Sequence, residues 1–286
     1  MTLQFRETSN PAEFLSVLDD FLSKEGLLCS MLVTTAHRSL ASDPPQPWHL
    51  WWWVCEDGVP VGAAILAHPG RPYLALRRAD VAEAFARRLS DHCAEHDHPL
   101  QGVHGLAIAT QAFARVWIER HGGTASEGRQ DFCYELAGPV AATDDVAGRA
   151  RRATLEDLPW LNEWGQDFLR DIGDHGVPAN TMGGMVSTGR VLLWESGGVP
   201  VAMAFATPEF KGRSRIGWVY TPEVHRGHGY GRAVTAAVAR MIHEEGGRAH
   251  LFADVTNPTP NRIYRELGFV ATHGKQSVLL EFIQLG

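Results

Sequence analysis

A strand, a glycine turn and a helix follow one another between Ile216 and Phe269, and this succession constrains the fold more than any other feature. The apolar run that begins it is followed by Pro222, which cannot continue a central strand. Glycines let the backbone approach a ligand closely, the first N–H groups of a helix lack acceptors, and the helix dipole favours negative charge there. The sequence therefore predicts a phosphate-binding turn formed by Arg226, Gly227, His228, Gly229, Tyr230, Gly231 and Arg232.

Two common phosphate-binding patterns do not fit this turn. A P-loop needs a Lys and a Ser or Thr directly after its last glycine, whereas Gly231 is followed by Arg232 and Ala233. The dinucleotide fingerprint G-x-G-x-x-G, started at Gly227, needs a glycine where Arg232 stands. The turn is thus predicted to bind a different phosphate ligand.

The spacing Arg226-x-x-Gly229-x-Gly231 resembles the acetyl-coenzyme A signature, Q/R-x-x-G-x-G/A, of the GNAT N-acetyltransferases. Further along, the sequence NPTPNRIYRELGF at residues 257–269 resembles the second coenzyme A motif of that family. The resemblance covers residues 150–286 well and the first half only faintly. It implies acetyl-coenzyme A (acetyl-CoA) as cosubstrate and an amine as acetyl acceptor.

The resemblance also implies roles for single residues. The pantetheine arm would pair like an added strand with the backbone of Trp218, Val219 and Tyr220, which requires this strand to splay from its neighbour. Tyr264 would protonate the departing thiolate, since a phenol is a donor at neutral pH. Two further cofactor contacts would come from Asn257 and Asn261.

A general base is harder to find. Many GNAT enzymes carry a glutamate on the central strand, but residues 213–220, RSRIGWVY, contain no carboxylate. Asp254 and Glu209 are the candidate substitutes. Asp254 has an alternative role, because it is placed to hold the turn at Thr256-Asn257.

The two halves of the chain share an order of predicted elements. The segment Gly58-Val-Pro-Val61 recurs as Gly198-Val-Pro-Val201. We infer a tandem repeat of GNAT-like α/β (α+β) folds, each a mixed, mostly antiparallel sheet flanked by helices. The predicted domains are a degenerate first copy at residues 1–137, a linker at 138–148 and a catalytic copy at 149–286. The first copy has Leu76-Arg-Arg-Ala-Asp80 where the glycine turn belongs.

The charge of the chain is unevenly distributed. Residues 1–150 contain 12 Lys and Arg against 19 Asp and Glu, which makes the first half a poor host for a polyanion. The start lacks the apolar core of a secretory signal and no run approaches a membrane span. We expect a cytoplasmic monomer or homodimer with no metal, nucleic-acid or membrane partner.

The predicted activity is acetyl transfer to a primary amine, on a small molecule or a peptide, through a direct ternary complex. An acidic helix edge hints at a cationic acceptor, with the alternative that it is only a solvated face; it comprises Glu163, Asp167, Asp171 and Asp174. Two other readings stay open: an acyl-CoA sensor or scaffold without catalysis, and an acyltransferase with another acyl group or acceptor.

Overall fold

The computed structural model describes residues 2–40, 50–66, 70–96, 99–173 and 181–283, except for the side chains of 273–277. The chain divides into two compact units. Unit 1 comprises residues 1–133, 254–256 and 273–286, and unit 2 comprises residues 134–253 and 257–272. The sequence predicted one continuous second domain from residue 149 to residue 286, whereas this division gives the end of the chain to unit 1.

The elements of the first half begin and end with a strand. They are β1 (Leu3–Thr8), α1 (Pro11–Val17), α2 (Asp19–Lys24), α3 (Ser30–Leu40), β2 (Leu50–Glu56), β3 (Val59–Leu66), β4 (Tyr73–Leu76), α4 (Ala79–His96), β5 (Gly102–Gly105), α5 (Ala107–His121) and β6 (Thr124–Leu136).

The second half repeats this order of strands and helices, except that two described α-helices, in place of three, precede its hairpin. Its elements are β7 (Arg149–Arg152), α6 (Leu158–Ile172), α7 (Thr181–Ser187), β8 (Val191–Ser196), β9 (Val199–Ala206), β10 (Arg213–Tyr220), α8 (Tyr230–Glu244), β11 (Arg248–Asp254), α9 (Pro258–Glu266) and β12 (Phe269–Ile283). Of the described helices, none combines the length and apolar character needed to span a bilayer.

Each unit contains a mixed, mostly antiparallel sheet, and the predicted fold class is therefore confirmed. In unit 1 the strands lie in the order β1-β2-β3-β4-β5-β12, and among the described pairs of neighbours in this order only β4 and β5 are parallel. In unit 2 the order is β11-β10-β9-β8-β7, and among its described pairs only β10 and β11 are parallel.

The recurring Gly-Val-Pro-Val segment forms the same hairpin in both units. Its turn residues have positive φ, 49° and 81° at Asp57 and Gly58, and 60° and 79° at Gly197 and Gly198. Two successive positive φ angles match the right-handed twist of the strands, which explains the tight two-residue turn. Both hairpins also shift register at the residue facing the proline, Cys55 in unit 1 and Glu195 in unit 2.

The last strand of the chain completes the sheet of unit 1. In β12, Val278 faces Gly105 and Leu280 faces Val103 of β5 in an antiparallel ladder. Val278 and Leu280 are 3% and 7% exposed and belong to the unit 1 core, which also contains Trp52, Phe85, Phe113 and Trp117.

The core of unit 2 lies under α6 and α7 and contains Leu161, Leu193 and Met203. The first helical segment of unit 2, just before α6, begins with a capping box in which Thr154 N donates to Asp157 Oδ2 at 2.8 Å. Asp157 also accepts from Arg151 Nη1 and Nη2 at 2.7 and 2.8 Å. These contacts fix the start of α6, which packs beside β10.

Candidate active site

The central strand β10 contains a bulge at the position where the sequence predicted pantetheine pairing. Gly217 faces Phe205 of β9, but Tyr220 faces Met203, so β10 has one more residue than its partner in this interval. Trp218 lies within the bulge and has a φ of 53°. A positive φ is unfavourable for a tryptophan, so contacts with the surrounding residues must stabilise this backbone conformation.

β10 also separates from β11 at this point. The parallel ladder pairs Arg213–Ile216 with Arg248–Leu251 and ends there. β10 continues to Tyr220 and β11 continues to Asp254 beyond the last paired residues. The segment that the sequence assigned to the pantetheine arm, Trp218, Val219 and Tyr220, therefore lies outside the β10–β11 ladder, as the predicted splay requires.

The glycine turn leads from β10 into α8. Gly227 and Gly229 have φ angles of 85° and 80°, a conformation that side chains other than glycine rarely adopt. The first intrahelical hydrogen bond runs from Ala233 N to Gly229 O, at 3.0 Å. The three N–H groups before it have no acceptor in the helix; they belong to Tyr230, Gly231 and Arg232.

Both arginines of the turn form ion pairs within unit 2. Arg226 Nη2 lies 2.7 Å from Asp171 Oδ2, and Arg226 Nε donates to Thr221 O at 3.0 Å. Arg232 Nη2 pairs with Asp145, and this contact holds the pKa of the Asp145 carboxyl below its usual range. Asp145 belongs to the predicted linker, so the sequence did not place it at the site.

The remaining side chains of the turn make local contacts. His228 stacks on Tyr230 with a centroid distance of 5.4 Å, and its Nδ1 lies 3.0 Å from Arg226 O. The Tyr230 hydroxyl donates to Ser196 Oγ at 3.3 Å. These two residues contribute backbone N–H groups to the turn, while their side chains fix its shape.

The second motif brings together Tyr264, Asn261 and a residue that the sequence did not indicate, Tyr134. Tyr264 is 7% exposed, and its ring centroid lies 6.1 Å from that of Tyr134. Asn261 Oδ1 accepts from the Tyr134 hydroxyl at 2.8 Å, and Asn261 Nδ2 donates to Asn257 O at 2.6 Å. Both ends of this amide make hydrogen bonds inside the protein, so Asn261 has a structural role. Its contact with the cofactor stays a prediction.

Asn257 occupies a different environment from Asn261. It is the N-cap residue of α9, its side chain is exposed, and it makes no side-chain capping hydrogen bond. The helix begins at Pro258. Of the two asparagines in the motif, Asn257 is therefore the one whose amide is available to a ligand.

Both candidate bases accept hydrogen bonds from residues in the connections next to them. Asp254 Oδ1 accepts from Thr256 N and Oγ1 at 2.8 and 2.7 Å, so it holds the turn into α9. Glu209 accepts from Gly212 N in the connection before β10. About five strand residues, or about 17 Å, separate that connection from the bulge at Trp218.

Helix α6 lies beside the bulge and brings aromatic and acidic side chains to it. Phe168 packs on Trp218 at a centroid distance of 5.1 Å, and Trp164 packs on Tyr220 at 6.1 Å. The Tyr220 hydroxyl donates to Asp167 Oδ2 at 3.3 Å. Burial first, and then the nearby carboxylates, raise the pKa of Tyr220, so the phenol stays neutral.

Two members of the acidic edge thus have partners, because Asp167 contacts Tyr220 and Asp171 contacts Arg226. Glu163 is exposed. Asp174 lies outside the described residues. Across the described parts of the chain, no group of three or more His, Cys, Asp or Glu side chains is arranged to hold a metal ion.

Comparisons with known proteins agree with this geometry. Residues 201–278 match the family model described as FR47-like protein. No curated protein sequence matches the chain. A GCN5-related N-acetyltransferase from Sphaerobacter thermophilus is similar in structure, with a TM-score of 0.65 and 16% identity, over 99% of this chain and 96% of that one.

Two further solved structures are similar over nearly their whole length. A GNAT-family acetyltransferase from Colwellia psychrerythraea has a TM-score of 0.60 and 13% identity, covering 99% of this chain and 100% of that one. A tandem GNAT protein from the clavulanic acid biosynthesis pathway has a TM-score of 0.57 and 14% identity, covering 100% and 99%. The chain therefore has the GNAT acetyltransferase fold, and the part that matches the FR47-like family contains its glycine turn and the bulged strand β10.

Proposed function

We propose that unit 2 is an acetyl-CoA-dependent N-acetyltransferase that transfers acetyl to a primary amine. The observation that carries this proposal is the opening between β10 and β11, where the ladder ends at Ile216 and the bulge at Trp218 follows. An open strand offers N–H and C=O groups to an extended ligand such as the pantetheine arm. The glycine turn after the same strand offers three helix N–H groups to the pyrophosphate.

The reaction needs a polarised carbonyl and a proton for the leaving thiolate. When the neutral amine bonds to the thioester carbon, the carbonyl electron pair moves to the oxygen, and a backbone N–H group of the segment 218–220 would stabilise this oxyanion. Tyr264 would protonate the thiolate as a general acid. The four cysteines lie within residues 1–133 and are buried, so unit 2 contains no thiol for a cysteinyl acyl-enzyme, which supports direct transfer.

The side chains beside the bulge favour a cationic acceptor, on a small molecule or a peptide. Trp164, Phe168 and Trp218 are half-buried, and Asp167 places a carboxylate next to them. Aromatic faces and a carboxylate together attract an ammonium group before it loses its proton.

Calorimetric titration with acetyl-CoA tests the proposal. We expect one site per chain, and we expect Gly229→Glu to abolish binding, because the new side chain is strained at a φ of 80° and brings a negative charge to the turn. Gly246→Glu is the matched control, since Gly246 has a φ of 83° at the other end of α8. Absence of binding by the parent protein would refute the transferase function.

A second candidate function is an acyl-CoA sensor or scaffold without catalysis. The observation that favours it is the lack of a carboxylate on β10, together with the structural contacts of Asp254 and Glu209. Thiol release from acetyl-CoA with a panel of amines separates the two functions. Binding without release on any amine supports the sensor, and release only with a longer acyl-CoA or a hydroxyl acceptor indicates another acyltransferase.

A further inference from the structure

The segment just before β7 lies against the glycine turn, and its Asp145 forms an ion pair with an arginine of that turn. Arg232, in the first turn of α8, pairs with Asp145, and the two side chains are 20% and 69% exposed. The guanidinium is thus mostly enclosed while the carboxylate faces solvent. An ion pair with this geometry keeps a cation of the turn occupied in the unliganded protein.

Asp145 is held in place by its neighbours along the chain. Val146 is 7% exposed and lies against Gly229, so that a Cβ added to this glycine would be 3.0 Å from Val146 Cγ2. Val146 N donates to Thr143 O at 3.0 Å, and Trp194 Nε1 donates to Ala147 O at 3.1 Å. The backbone on both sides of Asp145 is therefore anchored, and the carboxylate stays next to the turn.

We propose that Asp145 competes with the pyrophosphate of acetyl-CoA for Arg232 and thereby sets the affinity of unit 2 for its cosubstrate. The inference rests on the proposed function. A phosphate bound at the turn would face the fixed negative charge of Asp145, which repels it, and would have to displace that carboxylate from the guanidinium. Binding is weakened by the cost of this exchange.

The neighbouring residue Asp144 provides a matched control. It is exposed, and it makes no hydrogen bond or ion pair with any residue that the structure describes. Asp144→Asn and Asp145→Asn each remove one negative charge from adjacent positions, so they change the overall field of the turn similarly. Only Asp145→Asn releases Arg232.

Titration of the parent protein and both variants with acetyl-CoA at low salt tests the inference. We expect Asp145→Asn to lower the Kd about fivefold and Asp144→Asn to change it less than about twofold, with the difference shrinking as salt screens the charges. A Kd for Asp145→Asn equal to or higher than that of the parent overturns the inference and leaves the proposed function intact.

Inorganic pyrophosphate separates failure of this inference from failure of the proposed function. If none of the three proteins binds acetyl-CoA, the transferase proposal is refuted. Pyrophosphate titrated into the same three proteins then decides the role of Asp145. Tighter binding by Asp145→Asn alone supports competition for Arg232, and equal binding by all three overturns it.

Discussion

The two units differ most in the connection between the central strand and the following helix. In unit 1, two residues separate β4 from α4, whereas nine residues, 221–229, separate β10 from α8 in unit 2. The strands differ as well, since β4 pairs with β3 without a register shift while β10 is bulged against β9. Unit 1 therefore repeats the order of elements without the features that would bind a phosphate.

The arginine Arg78 in the unit 1 connection contacts two carboxylates, whereas Arg226 and Arg232 in the unit 2 connection region each pair with one. Arg78 of unit 1 lies between Glu56 and Asp80, with Nη1 2.7 Å from Glu56 Oε2 and Nε 3.0 Å from Asp80 Oδ1. Two carboxylates on one guanidinium leave little attraction for an anion. The comparison teaches that the proposed binding site depends on one loop and one bulge, which are present in unit 2 and absent from the described residues of the unit 1 connection.

The largest effect that we expect is a loss of stability when β12, which pairs with β5 of unit 1, is weakened. Leu280→Ala removes a side chain that is 7% exposed in the core. The free energy of unfolding should fall by about 2–5 kcal/mol. Urea denaturation measures this change, and calorimetry should show an unchanged Kd for acetyl-CoA in the folded variant.

Ile283→Ala is the control within the same strand, because Ile283 is 51% exposed and its truncation removes little packing. Equal destabilisation by the two variants would argue against the pairing of β12 with β5. Loss of acetyl-CoA binding in folded Leu280→Ala would show that the strand supports unit 2 as well.

The next effect concerns the residue that distinguishes the last helices of the two units. Tyr264 of α9 corresponds in sequence to Trp117 of α5, which has no hydroxyl and stacks on Phe113 at 6.0 Å. Tyr264→Phe should lower kcat about 100-fold, because the proposed general acid is lost, while the Kd for acetyl-CoA stays the same.

Tyr134→Phe serves as the control for Tyr264→Phe. It removes the hydroxyl that donates to Asn261, so it should lower stability by about 1–3 kcal/mol. Its kcat should remain within a few-fold of the parent value. A similar fall in kcat for both variants would mean that Tyr264 acts only by packing.

The sequence predicted the parts of the site that depend on local pattern. The glycine turn, the helix after it and the shared hairpins follow from residues close together in the chain, and the structure contains all of them. The splay of β10 from its neighbour was implied only by the resemblance. The bulge was not predicted, because nothing in the preferences of Trp218 favours a φ of 53°.

Features that depend on distant partners were not predictable. Asn261 is occupied by Tyr134, which lies 127 residues earlier in the chain, and Arg232 by Asp145, which lies 87 residues earlier. The contact between Glu209 and Gly212 N, in the connection before β10, was not predicted either. The pairing of β12 with β5 joins strands that are far apart in the chain, and no local pattern specifies it.

The smallest effect that we expect is on the stability contributed by the residues that cap the first helices of the two units. In unit 1 the neutral Asn10 accepts from Ala12 N at 2.9 Å, whereas in unit 2 the charged Asp157 caps the segment and pairs with Arg151. The Arg151 guanidinium holds the pKa of Asp157 below its ordinary value of 3.8. The Asp157 contribution to stability is therefore complete above that ordinary value and is lost as the pH falls through the lowered pKa.

Asn10→Ala should lower the free energy of unfolding by about 1 kcal/mol at both pH 7 and pH 3. Asp157→Asn should lower the free energy of unfolding by about 1–2 kcal/mol at pH 7 and by less at pH 3. The cost is smaller at pH 3 because protonation of Asp157 in the parent protein removes the charge that the substitution also removes. Urea denaturation at the two pH values measures both changes. An Asp157→Asn cost that does not depend on pH would show that hydrogen bonding, and not charge, caps this helix, and the two units would then begin in the same way.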